Sequence, residues 1–180
     1  MVLEIEPRNW YRDEFLISTE HRLLQLDAVR SAMSPELMWW AQAPPTDILQ
    51  KALNNSLCFG LYELPQSTSQ IAGQGGPKQI GLMRVITDDV TFAYLTDVYI
   101  LPEYQGKGLG RWMLACLEEV IESWPHLRHL MFVTSPGTID FYKKTIGAKN
   151  WSEHNEGKLV IGAVDGPAVP RKQHEESTDR

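Results

Sequence analysis

The sequence predicts one α/β domain, with strands and helices mixed along the chain and a short charged tail after them. Two observations carry this. The chain has 180 residues, 43% hydrophobic and 22% charged, which suits one domain able to bury a core without disulfides or metals. A run rich in aromatic and β-branched residues, Thr91 to Leu101, also gives way to a glycine-rich segment and then to apolar residues at helical spacing.

The elements follow in order. Glu14 to Thr19 reads as a first short strand bounded by charge. Leu23, Leu24, Leu26 and Val29 predict a helix over about 21–33. Ser34-Pro35 and Pro44-Pro45 interrupt the chain, and Thr46-Asp47 opens a second helix ending near Asn54-Asn55. Ser56 to Glu63 and Gln79 to Ile86 read as neighbouring strands. The Ser-, Gln- and Gly-rich stretch between them reads as a surface loop. Thr91 to Leu101 is the strongest strand, stopped by Pro102. Leu109, Met113, Cys116, Val120 and Trp124 share one face of a long helix. Leu130 to Val133 is a buried strand, and Pro136 opens a helix that runs through Tyr142 to Gly147. Leu159-Val160-Ile161 is a last strand. Residues 1–164 are thus read as one domain, and the Pro- and charge-rich residues 165–180 as a disordered tail.

Charge and cysteine content narrow the function classes. The net charge is −6, from 17 Lys+Arg against 23 Asp+Glu, which argues against a general nucleic-acid binder and suits a cationic substrate. The 2 cysteines, Cys58 and Cys116, lie in apolar stretches without metal or redox spacing, so both read as buried free thiols of a reducing compartment. His126 and His129 lack neighbouring cysteine or acid ligands, so no metal site is expected. The acidic N-terminus is unlike a signal peptide, and no stretch is apolar enough to span a bilayer. The expectation is a cytoplasmic protein, with the nucleus open to it, acting as a monomer or homodimer.

The informative segment is Val98-Tyr99-Ile100-Leu101-Pro102-Glu103-Tyr104-Gln105-Gly106-Lys107-Gly108-Leu109-Gly110-Arg111. A strand stops, a glycine turn comes next, and a helix begins. Glycines admit positive φ and close ligand approach, and a helix start presents free N–H groups and the positive end of its dipole to an anion. Lys107 and Arg111 add charge there, so the segment reads as a phosphate or pyrophosphate cradle. Gly108 stands where a nucleotide-hydrolysing P-loop needs Ser or Thr, and Met113 stands where the dinucleotide fingerprint needs glycine.

Gln105-Gly106-Lys107-Gly108-Leu109-Gly110 resembles the Gln/Arg-x-x-Gly-x-Gly/Ala signature of the GNAT N-acetyltransferase superfamily. Phe141-Tyr142-Lys143-Lys144-Thr145-Ile146-Gly147 resembles the family's Phe-Tyr-Glu-Lys-Leu-Gly-Phe segment, with one extra residue before Gly147 and Ala148 in place of the usual aromatic. The resemblance covers about residues 10 to 165 and implies a mixed, mostly antiparallel sheet flanked by helices, splayed between its fourth and fifth strands. It implies acetyl-CoA as co-substrate, held by main-chain groups around Val98, Tyr99 and Ile100, by Gln105, and by the N–H groups of Gly106, Lys107, Gly108, Leu109, Gly110 and Arg111. Ser135 stands where many members carry a coenzyme-binding Asn. The implied partners are acetyl-CoA and an amine acceptor, with neither nucleic acid nor membrane.

Transfer to an amine needs a deprotonated acceptor, a stabilised oxyanion and a departing thiolate. Tyr142 matches the family's position for the phenol that protonates that thiolate. Asp97, a charged residue inside the strongest strand, must face a polar cavity or be paired, and is the candidate base or amine anchor. Tyr94, Glu63, Asp88 and a water chain are its rivals. Trp39-Trp40 lies where the family shapes its acceptor pocket, and an aromatic wall suits a cationic amine. Direct attack in a ternary complex is favoured over a cysteine relay. The competing class is a GNAT-like module that binds or senses acyl-CoA without turnover.

Overall fold

The computed structural model describes residues 6–34, 36–38, 42–65, 76–154 and 161–164. The chain divides into two compact units, Met1–Gly147 and Ala148–Arg180. Among the described residues the first unit contains a six-stranded sheet in the order β1-β2-β3-β4-β5-β6. The strands are β1 (Asn9–Arg12), β2 (Phe15–Ser18), β3 (Leu57–Glu63), β4 (Lys78–Thr87), β5 (Phe92–Ile100) and β6 (His129–Phe132). Neighbours pair antiparallel from β1 to β5, and β6 runs parallel to β5.

The N-terminal edge differs from the sequence expectation. β1 precedes the predicted first strand and pairs with it through a turn at Asp13, whose φ is 51°. Asn9-Trp10-Tyr11-Arg12 shows no apolar alternation in the sequence, and no residue of this edge strand is fully buried. The predicted helix over 21–33 is likewise divided. A single 3-10 turn spans His21–Leu23, and helix α1 runs over Leu26–Ala32. The break has a local cause. The Gln25 N–H donates to Gln79 Oε1 at 2.7 Å, and the Gln79 N–H donates to Gln25 Oε1 at 3.1 Å. This reciprocal tie holds Gln25 extended at the head of β4 and overrides its helical propensity.

Helix α2 (Thr46–Asn54) agrees with the prediction. α1 and α2 cover one face of the sheet, where Val29, Ala32, Met38, Leu49 and Leu53 pack with Cys58, Leu82 and Tyr99. Phe59, one residue on from Cys58, points to the other face. There it stacks on Trp10 at 5.9 Å, and the Trp10 indole N–H donates to Glu119 of α3 (Leu109–Glu122) at 2.8 Å. α3 therefore lies on the opposite face, burying Leu109, Met113, Leu114, Cys116, Leu117 and Val120. Helix α4 (Ile139–Ile146) starts three residues after Pro136, which stays in the preceding turn. Gly147 closes it with a φ of 64°, a conformation that favours glycine.

In the second unit the described structure is α5 (Trp151–His154) and residues 161–164, where Ile161 belongs to no strand. Residues 159–160, the tail 165–180 and most of the predicted loop, 66–75, lie outside the described residues. No helix among the described residues is long and apolar enough to cross a membrane.

The feature that positions the site is a partial pairing. β6 accompanies β5 only from Phe92↔His129 to Leu95↔Phe132. Beyond Leu95, residues Thr96 to Ile100 pair with no strand on that side among the described residues, so the sheet splays between β5 and β6. These are the fourth and fifth strands in the sequence count, which lacked β1.

Burial also fixes how the fold responds to alkali. Loss of solvation pushes the thiols of Cys58 and Cys116 up to about 12 and the phenols of Tyr62 and Tyr99 well above the ordinary tyrosine value. An unfolded chain gives up its thiol protons near pH ~8.5 while the folded chain keeps them, so the unfolded state gains on the folded one as pH rises. Stability should be flat in these groups below about pH 8 and fall progressively from there toward pH 12. Melting temperature against pH measures it, and Cys58→Ala should flatten part of the slope. A melting temperature independent of pH over that window would contradict the buried thiols.

Candidate active site

Below β5 the chain makes a 3-10 turn at Pro102–Tyr104 and then enters the glycine loop. Gly106 and Gly108 have φ of 78° and 73°, both left-handed, and Gly108 is the N-cap of α3. A side chain at either position would be strained. A Cβ built on Gly106 or Gly108 meets nothing within 4 Å, so the loop's outer face is open to close approach. The first-turn N–H groups of α3 have no intrahelical acceptor, and no acid stands in that turn to compete for an anion.

The loop is braced from behind. The Tyr104 hydroxyl donates to Glu63 Oε2 at 2.7 Å and accepts from Lys78 Nζ at 3.3 Å. The hydrogen bond to Glu63, more than burial, raises the Tyr104 phenol above its ordinary value. Lys107 Nζ lies 5.3 Å from the centre of the Tyr104 ring and 5.6 Å from that of Phe15. Arg12 donates to the Lys107 carbonyl at 3.3 Å and stacks over Trp112. Gln105 turns its amide back to donate to the Ile100 carbonyl at 2.9 Å, tying the loop to the end of β5.

A cavity of about 690 Å³ fills the splay. It is lined by Val98, Tyr99 and Ile100 from β5, by Gln105, Gly106, Gly108, Leu109, Gly110 and Arg111 from the loop and helix start, and by Tyr142 from α4. The structure thus brings most of the sequence-predicted site residues to one cleft of ligand-binding size. Lys107 and Ser135 are outside its lining. Ser135 is exposed and shares a 2.8 Å hydrogen bond with Thr138, which does line the cavity. Tyr142 is 7% exposed, its ring 4.5 Å from that of Phe132 and 5.4 Å from that of Phe141. Burial raises its phenol above the ordinary value, which keeps it protonated at neutral pH.

Asp97 is placed differently. It does not line the cavity, and its Oδ2 accepts from Arg84 Nε at 2.6 Å. Of the two requirements for a carboxylate inside a strand, pairing is the one observed. Among the rivals for the base, Asp88 Oδ1 accepts the N–H groups of Val90, Thr91 and Phe92, and Oδ2 takes the Thr91 hydroxyl, so its carboxylate closes the β4–β5 turn. Glu63 is held by Tyr104. Trp39 and Trp40 lie outside the described residues.

A second cavity, about 540 Å³, adjoins the first and shares Leu37 and Tyr99 with it. Ala28, Ser31, Ala32, Glu36, Lys78 and Gln79 are among its lining. The sequence reading missed Leu37, Tyr104, Thr138 and Phe141 as cavity residues, and Arg84 as the partner of Asp97. Phe141 stood in the family-like Phe-Tyr segment and Tyr104 in the glycine-loop segment, and Arg84 carried its own signal, a guanidinium in the otherwise apolar middle of a predicted strand.

Residues 26–148 match the Acetyltransferase (GNAT) family, more than half of the chain. A Gibberella zeae protein named "Putative acetyltransferase FG08082" is 45% identical over 178 residues, covering 94% of this chain and 99% of that one. A crystal structure from Xanthomonas campestris pv. campestris, of a protein "belonging to the gnat family", superposes with a TM-score of 0.63 at 26% identity, over 84% of this chain and 94% of that one. Glucosamine-6-phosphate N-acetyltransferase from Arabidopsis thaliana shares the fold, with a TM-score of 0.51 at 14% identity, over 86% of this chain and 99% of that one. The glycine cradle, the splayed sheet and these matches agree: the chain belongs to the GNAT acetyltransferase family.

Proposed function

We propose that the protein is an acetyl-CoA-dependent N-acetyltransferase that passes the acetyl group to a primary amine by direct attack in a ternary complex. The observation that supports it most is the single cleft joining the open glycine loop to the unaccompanied half of β5 and to Tyr142. Acetyl-CoA brings an activated thioester. The rest is the work of this chain's residues.

The N–H groups from Gly106 to Arg111 bind the pyrophosphate, aided by the helix dipole and by Arg111. Lys107 contributes through the field of its charge, since its ammonium packs on aromatic rings. Main-chain groups of Val98 and Ile100, exposed by the splay, take the pantetheine arm as a strand would, with Tyr99 between them facing the second cavity. The Val98 N–H polarises the thioester carbonyl and stabilises the charge that develops on its oxygen. Gln105 holds the loop in register with Ile100. Thr138, with Ser135 behind it, contacts the coenzyme beside α4. The amine enters through the second cavity, whose boundary with the first is Tyr99 and Leu37. The attacking amine gives up its proton to a water chain in the cleft, Tyr142 gives its own to the departing sulfur, because a buried phenol stays protonated and reaches the cleft, and the water chain then restores the Tyr142 proton. Cys58 and Cys116, held as buried thiols, take no part.

Acetyl-CoA should raise the melting temperature, by a stabilisation of about 2.7 kcal/mol at a hundredfold excess over Kd, while ATP and NAD should not. Equal shifts with ATP would sink the coenzyme assignment. Gly108→Glu should abolish that shift with the fold intact, since it places a side chain and a negative charge in the cradle at a left-handed φ. Unchanged affinity would put the phosphates elsewhere.

Thiol release over a panel of small amines, polyamines and peptides identifies the acceptor. With that acceptor, Tyr142→Phe should lower kcat by about 10²–10⁴-fold at nearly unchanged acetyl-CoA affinity. The loss should shrink for acyl donors whose thiol is more acidic. Wild-type turnover in the mutant would make Tyr142 a packing residue. Tight coenzyme binding with no thiol release to any amine would mark an acyl-CoA-binding module.

A further inference from the structure

Between the pairs Leu82↔Tyr99 and Arg84↔Thr96, one residue of β4, Met83, stands opposite two of β5, Asp97 and Val98. That is a β-bulge, which places an extra residue on one strand and re-aims the side chains beyond it. Asp97, its first residue, has a φ of 48°. Glycine takes that place most easily, and a carboxylate tolerates it better than a branched side chain does. The carboxylate is not idle. It is 7% exposed, and its two oxygens are held by Arg84 Nε at 2.6 Å and by the Thr96 hydroxyl at 3.3 Å. Arg84 in turn donates to the Ser56 hydroxyl at 3.1 Å, and Ser56 donates to the Ala52 carbonyl in the last turns of α2 at 2.8 Å. The bulge is thus tied across β4 to the segment that joins α2 to β3.

We propose that the Arg84–Asp97 pair is a positioning device, which fixes the bulge so that the Val98 backbone meets the acetyl carbonyl. It rests on the acetyl-CoA reading of the cleft. Neither Arg84 nor Asp97 lines the cavity, whereas Val98, the next residue in the bulge, does. A buried ion pair is a poor source of stability compared with apolar packing, so its position at the bulge points to geometry. Glycine at position 97 would satisfy the backbone without any tie. The pair adds a fixed direction, and small misplacement near reacting atoms costs up to about 100-fold in rate.

The test reads backbone amide spectra of the full chain with CoA and then with acetyl-CoA, together with acetyl-CoA hydrolysis by water. In the wild type, the amides of Gly106 to Arg111 should respond to both ligands alike, and the Val98 amide should shift further with acetyl-CoA than with CoA, a difference that is the Val98 response. Asp97→Gly keeps the left-handed backbone and removes the tie. Arg84→Met with Asp97→Asn removes the ion pair while leaving no unpaired buried charge, which guards against simple unfolding. Both should keep the loop response and the coenzyme affinity, lose the Val98 response, and hydrolyse acetyl-CoA about tenfold to 100-fold more slowly. Asp97→Asn alone, which keeps the backbone and one acceptor for Arg84, should restore part of both.

A wild-type Val98 response in Asp97→Gly would overturn the proposal. So would an Asp97→Asn protein that keeps the Val98 response yet loses turnover, because the carboxylate would then be the reacting base. A wild type whose loop responds while Val98 does not overturns the positioning role alone. No loop response at all overturns the coenzyme reading and this proposal with it.

Discussion

The last shared pair between β5 and β6, Leu95↔Phe132, is the constraint on which the rest of the structure depends. A strand buried within a sheet satisfies its backbone on both sides, so ending one partner early leaves main-chain groups that need another partner. Here that gap opens beside the N-terminus of α3, which has free N–H groups of its own. The two sets of unsatisfied groups face one cleft. A ligand with an amide-bearing arm and an anionic end answers both at once. The thioester carrier we propose has both.

The surrounding residues serve to hold the cleft open. Tyr104, Glu63 and Lys78 brace the approach to the loop through hydrogen bonds of 2.7 and 3.3 Å. Arg12 and Trp112 hold it from the other side. Gln105 ties the glycine loop to the end of β5 at the Ile100 carbonyl. In a chain with a net charge of −6, basic side chains gathered around one helix start, Lys107, Arg111 and Arg12, make a local field opposite in sign to the whole, which favours an anion there.

Much of this was legible in the sequence, for reasons that differ by element. The helix from Leu109 could be read because its apolar face repeats over fourteen residues, Leu109 to Glu122. The glycine loop could be read because positive φ restricts residue choice at Gly106 and Gly108. β1 was hidden because its sequence, Asn9-Trp10-Tyr11-Arg12, carries no apolar alternation and none of its residues is fully buried. The break before α1 was hidden because it comes from Gln79, far along the chain. Asp97 stood out in the sequence as a charge inside a strand, but its partner is set by strand register, and a bulge shifts register without any mark in composition. Leu37, Thr138 and Phe141 reach the cavity only through tertiary packing.

In our proposal one ligand spans the free half of β5 and the start of α3. Amide hydrogen exchange of the full chain, with and without acetyl-CoA, tests it most directly. Exchange should slow in two stretches together, Asp97 to Leu101 and Gly106 to Trp112, with little change in β1 and β2. Protection confined to the second cavity, over Gln25 to Leu37, with both of those stretches unaffected, would contradict it.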